Sequence, residues 1–199
     1  MNRDFGRIGR SKEHGKKGSM QTWLDEGYTI FSAEGPSSIQ IERVARNLGK
    51  NKSGFYYFFK DRESFVECLM NEHRGRLDSL TQQIREIRNF NPEYFEFLIE
   101  HKESFFFQIQ LAKNRETELF HETLNYFNSR IAAAAIPCWS DYLESSIEVA
   151  EKLWGLTRDA MVCRVTSEQF TYSWLADLAS EAKMIACQQR PRSLAYLQN

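Results

Sequence analysis

Residues 37–64 read "SSIQIERVARNLGKNKSGFYYFFKDRES" and carry several helix starts and stops in close order. Ser37 followed by Gln40 has the spacing of a capping box, which predicts a helix start there. Ile41, Val44, Ala45 and Leu48 recur at i, i+3, i+4 and i+7, a single buried stripe. Gly49 suits the left-handed residue that closes a helix. Asn51 or Ser53 is placed to cap a second helix, which turns Phe55 and Phe59 inward at i, i+4. Asp61, followed by Ser64, caps a third.

Two helices separated by so short a turn predict a helix-turn-helix, whose second helix enters the DNA major groove leading with its N-terminus. The composition fits that use. Lys52, Ser53 and Gly54 occupy the exposed first turn, within reach of base edges, and Asn51 stands at its start. Gly54 costs about 1 kcal/mol of helix propensity, which is explicable if the backbone must approach DNA closely. Tyr56 and Tyr57 can offer hydroxyls to phosphate oxygens, and Lys50 and Lys60 add positive charge. Taken singly, the lysines also fit a solvated face and Tyr56 a core position.

Charge is divided along the chain. Residues 1–60 hold eleven Lys/Arg against six Asp/Glu, whereas residues 61–199 hold fifteen against twenty-one, within a net of −1. A basic front and an acidic remainder suggest that one end meets a polyanion. Residues 1–19 carry Arg3, Arg7, Arg10, Lys12, Lys16 and Lys17 with little apolar content and read as a flexible basic arm. Such arms track into the minor groove in some DNA-binding proteins.

Apolar residues recur at helical spacing over 62–87, with Gly75 a weak point, and over 167–188 through Phe170, Trp174, Leu175, Leu178, Met184 and Ile185. A first helix is expected over about 20–34, ended by "EGP". Further helices are expected over about 92–112 and 115–136, with boundaries at Asn91–Pro92 and at "IPCWSD", residues 136–141. Strand patterns are absent, so the fold class is all-α.

The stretch "IFSAEGPSSIQIERVARNLGKNKSGFYYFFKDRESFVECL", residues 30–69, resembles the DNA-binding region of the TetR (tetracycline-repressor) family of transcriptional regulators. The matching features are Phe31, Gly35, Val44–Ala45, Gly49, Tyr56, Phe59–Lys60 and the apolar helix that follows. The sequence departs from the family pattern at four places. Gln40 stands for the usual Ser or Thr, Glu42 for a frequent basic residue, Lys50 for a small apolar residue, and Gly54 for Thr or Ala.

The resemblance implies three parts: the arm at 1–19, a helix-turn-helix domain at 20–66, and a helical ligand-binding and dimerisation domain at 67–199. It implies a homodimer reading a palindromic double-stranded DNA operator as a repressor, released by a small apolar or aromatic effector. Lys50, Asn51, Lys52, Ser53, Gly54, Tyr56, Tyr57 and Lys60 would form the DNA-binding set. Phe106, Phe120, Trp139 and Trp154 are candidates for an effector pocket, alongside the plainer reading of core aromatics. The last two helices, about 141–163 and 167–188, would pair with their copies. The alternative is a site-specific DNA-bound protein whose C-terminal body recruits a protein partner without any ligand.

Other classes find no support in the residues. No apolar run approaches the ~20 residues of a membrane span and no signal-peptide core is present, which leads to the expectation of a cytoplasmic protein. Cys68, Cys138, Cys163 and Cys187 form no CxxC pair and read as reduced thiols. His73, His101 and the Glu118–His121 pair fall short of a metal set. No catalytic constellation or cofactor motif stands out, so neither enzyme activity nor a cofactor is expected.

Overall fold

The computed structural model describes residues 9–188, with side chains from residue 20 onward. Its helices are α1 (Gly9–Glu34), α2 (Ile41–Asn47), α3 (Lys52–Tyr56), α4 (Arg62–Gly75), α5 (Leu77–Glu86), α6 (Phe95–Glu100), α7 (Lys102–Lys113), α8 (Glu118–Leu143), α9 (Ile147–Arg164) and α10 (Tyr172–Gln188). No strand occurs among the described residues, and the fold is all-α. The basic segment 1–19 lies outside the described residues as far as residue 8, and its remainder enters α1.

The described residues fall into two compact units. One comprises the chain up to Gly75 together with Glu103–Thr123; the other comprises Arg76–Lys102 and the chain from Leu124 on.

In the first unit, α1 ends where Gly35 takes φ +86° and donates its N–H to the Phe31 carbonyl at 2.9 Å. A side chain there would be strained and would also meet Gln110 Oε1 at 2.8 Å. Pro36–Ser38 forms one tight turn, and α2 begins only at Ile41. The expected capping box is therefore absent: Gln40 is the N-cap and makes no side-chain cap bond, so Ser37 belongs to the turn. The closure of α2 follows the sequence reading. Gly49 sits at φ +63°, Gly49 N–H bonds Arg46 O at 3.1 Å, and Lys50 N–H bonds Ala45 O at 2.9 Å. This bond pair satisfies two carbonyls that the helix end would leave open.

The core of this unit is aromatic. Phe107 stacks on Tyr28 at 4.4 Å and on Phe31 at 4.2 Å, with the ring of His73 at 4.3 Å. His73 is fully buried and satisfied. Its Nδ1 lies 2.7 Å from the Tyr28 hydroxyl, which donates to Ser104 Oγ at 3.1 Å, and its Nε2 lies 2.8 Å from Gln108 Nε2. One neutral tautomer fits the chain, with Nδ1 donating to Tyr28 and Nε2 accepting from Gln108. A charged or polar core group retains its place only with such partners.

The second unit gathers Leu77, Leu80 and Phe127, with Phe97 and Ile131 packed against them. A second cluster forms around Phe90, which stacks on Tyr94 at 4.5 Å and lies 4.7 Å from Trp139. Burial pushes the Tyr94 phenol above its ordinary pKa. Ser146 caps α9 by accepting from Val149 N–H at 3.4 Å.

Helix bounds differ from expectation at several places: α1 begins at Gly9 rather than near residue 20, and the stretch expected as one helix over 92–112 is α6 and α7, parted at His101. The periodic stretch 62–87 is two helices, broken at Gly75 and Arg76. Conversely, α8 runs through Pro137 to Leu143, although "IPCWSD" reads as an end. Proline removes one backbone bond, that to the Ala133 carbonyl. Pro137 and Ala133 are both exposed, so the freed carbonyl lies on the solvent side, while Ala134, Ala135, Trp139 and Leu143 bury the other face.

Candidate nucleic-acid interface

The placement of α3 begins with its cap. Asn51 Oδ1 accepts from the Gly54 N–H at 3.1 Å and from the Ser53 hydroxyl, fixing where the helix starts. Phe55 then goes fully into the core, edge-on to Trp23 at 5.6 Å and to Phe65 at 5.2 Å, and 5.0 Å from Phe59. Burying two phenylalanines on one side leaves the opposite side outside. Tyr56 and Tyr57 are 56% and 65% exposed, far too open for core tyrosines.

Lys50, Asn51, Lys52, Ser53 and Lys60 are exposed with them. The Lys50 ammonium lies 5.6 Å from the centre of the Trp23 ring, a cation–π contact that holds it beside α3. Gly54 is the exception in the set. It is half-buried, and a Cβ added there would point at Trp23 Cζ2, 3.4 Å away. A side chain at Gly54 would therefore be directed toward Trp23, while the backbone of this turn lies among exposed residues on either side.

The turn is braced from three sides. Arg43 makes a two-pronged pair with Glu34, with Nη1 to Oε2 at 2.7 Å, and Asn47 donates to Glu26 at 2.7 Å, tying α2 to α1. The Arg43 hydrogen bonds hold the Glu34 carboxyl below its usual range. Asp61 accepts from Ser64 N–H at 2.8 Å and caps α4 as read from the sequence. The Ser64 bonds lower the Asp61 pKa accordingly.

Two features escaped the sequence reading. Lys52 Nζ pairs with Glu42 Oε1 at 2.8 Å, joining the first turns of α3 and α2. The bond from Lys52 lowers the Glu42 pKa, and the same bond raises that of Lys52. Arg46, on the last turn of α2, is exposed and pairs with no acid among the described residues. Its place on the polar face opposite Val44 and Ala45 was the available signal.

No protein-family model matches the chain, and no curated protein sequence matches it either. Solved structures do. A structure from Mesorhizobium loti MAFF303099, assigned to the TetR-family transcriptional regulators, superposes with a TM-score of 0.57 at 13% identity, over 87% of this chain and 96% of that one. A TetR-family transcriptional regulator from Streptomyces coelicolor gives 0.51 at 15% identity, over 90% and 93%. The fold is the TetR fold. At such identities the likeness is one of backbone architecture, and it extends over both units rather than the helix-turn-helix alone.

The four residues read as effector candidates divide between the units of this TetR fold. Phe106 is half-buried, and Phe120 is buried edge-on to Phe31 at 5.7 Å. In the second unit, Trp139 is buried and lies 6.0 Å from the half-buried Trp154, which also meets Tyr94 edge-on at 5.8 Å. The indole Nε1 of Trp139 is buried without a hydrogen-bond partner among the described residues. No cluster of three or more metal-ligating side chains, and no helix long and apolar enough to cross a membrane, occurs among them.

Proposed function

We propose that this chain is a transcriptional regulator of the TetR type, a homodimer that reads a palindromic operator and is released from it by a small apolar or aromatic effector. The observation that carries the reading is the two-sidedness of α3. Phe55, and Phe59 just past its end, are buried, while Lys52, Ser53 and Tyr56, with the adjacent Tyr57, Lys50 and Lys60, stay exposed. Such a helix can enter a major groove without unfolding its support, with tyrosines and lysines left for the flanking phosphates.

Dimerisation is supported by apolar side chains left open on the last two helices. Leu156 is 64% exposed, Met184 58% and Ile185 47%, an arrangement that a second copy would cover. A two-fold pair would set its α3 helices ~34–36 Å apart and so favour an inverted repeat. The aromatic cluster of Phe90, Tyr94, Trp139 and Trp154 is where such an effector would be sought.

The test is a binding titration of the full chain against duplex fragments at several salt concentrations. A preferred inverted repeat is expected, with Lys60→Ala lowering the salt slope by about one and weakening all duplexes alike. Leu156→Asp should yield monomers in sedimentation and lose the inverted-repeat preference. Uniform affinity for every duplex, with no preferred repeat, would refute the regulator reading.

A further inference from the structure

From the Glu42–Lys52 pair we infer that these two side chains read one G·C base pair together and make Glu42 a specificity-determining residue. The inference rests on the DNA-binding reading above. An acid in the first turn of α2 suits the helix dipole, but it works against a surface that grips only phosphates. It repels them, and it engages the lysine that leads α3. Yet the pair is well made, 2.8 Å from Nζ to Oε1, and both side chains remain more than half exposed, at 54% for Lys52 and 65% for Glu42.

Their unspent capacity is what suits a base edge. An ammonium has three donors, of which Glu42 takes one, and the carboxylate has lone pairs to spare. In the major groove a G·C pair presents guanine N7 and O6, both acceptors, beside the cytosine N4 amino donor. The ammonium bridges N7 and O6 while the carboxylate accepts from N4, so donor and acceptor already in contact meet acceptor and donor already in contact. An A·T pair fits less well. Its single amino donor lies between two separated acceptors, so the ammonium reaches just one of them. Reversing the pair to C·G brings the carboxylate against guanine O6 and is repelled. An exposed ion pair is weak and adjusts its geometry at little cost, so the bases can orient it.

The experiment is site selection from randomised duplexes with full-length wild type, Glu42→Ala and Glu42→Gln, each checked for helical content. Wild type should enrich G·C in one orientation at one position of each half-site, with the inverted or A·T pair bound roughly tenfold or more weakly. Glu42→Ala should lose that preference to within about twofold at this position and keep the others, while Glu42→Gln, which retains an acceptor, should recover part of it. If Glu42→Ala selects the wild-type site unchanged, or gains affinity equally for all duplexes, the acid is a helix clip and the inference falls while the regulator reading stands. Wild type selecting no sequence would remove both.

Discussion

Arg62 Nε donates to the backbone carbonyl of Ile39 at 2.8 Å, across 23 residues of sequence, and its Nη2 donates to the Pro36 carbonyl. The first residue of α4 thereby holds the turn that precedes α2. Arg62→Ala should cost about 1 kcal/mol of stability, the usual worth of such bonds when partly solvated. A fall in melting temperature with unchanged helical content at room temperature would be the sign; an unchanged melting curve would show that the carbonyls are equally served by water.

Gly27→Ala should be the more damaging change. A Cβ at Gly27 would lie 2.4 Å from Cζ and 2.7 Å from Cε1 of Phe65, whose ring is fully buried. The ring cannot leave without displacing Phe55 and Phe59, against which it packs. Overpacking of this kind costs about 1–3 kcal/mol, measurable by denaturant unfolding of variant and wild type. Added helix propensity from alanine works the other way and reduces the net loss.

Gly54→Ala should do the opposite. Its Cβ would make an ordinary van der Waals contact with Trp23 at 3.4 Å, and alanine favours the helix by up to about 1 kcal/mol. The variant should melt higher and bind duplex DNA as wild type does, because the new methyl faces the core. Loss of DNA affinity alongside a higher melting temperature would show instead that this glycine makes room for the duplex.

Acid should weaken the brace of α2. Glu34 has its pKa lowered in the folded state by its bonds from Arg43, relative to an ordinary value of 4.5. The folded value lies below the unfolded one, so the contribution is present above the ordinary value and is lost as pH falls through the folded value. Melting curves of wild type and Glu34→Gln should therefore differ most near neutrality and converge in acid, below the ordinary carboxylate range. A constant difference across that range would mean that the carboxylate's charge plays no part.

The helix-turn-helix was legible because its signals are local. Gly49 closing α2, Asn51 capping α3 and Asp61 capping α4 each depend on backbone groups within a few residues, and Phe55 and Phe59 reveal the buried side by spacing alone. Local cues also misled where two of them competed. Ser37 lost its cap to the tight turn that Pro36 begins, and Pro137 failed to end α8 because the bond it removes faces water.

By itself the sequence determined the all-α class, the two-sided α3 segment and the exposed cations around it, since short-range hydrogen bonds and periodic burial decide these. Tertiary structure alone decided that Gly54 faces Trp23, that Glu42 meets Lys52, that Arg62 holds Ile39, and that His73 lies between Tyr28 and Gln108. The hydrogen-bonded partners among these are ten to forty-five residues apart, and only the packing of whole helices brings side chains at such separations within bonding distance of one another.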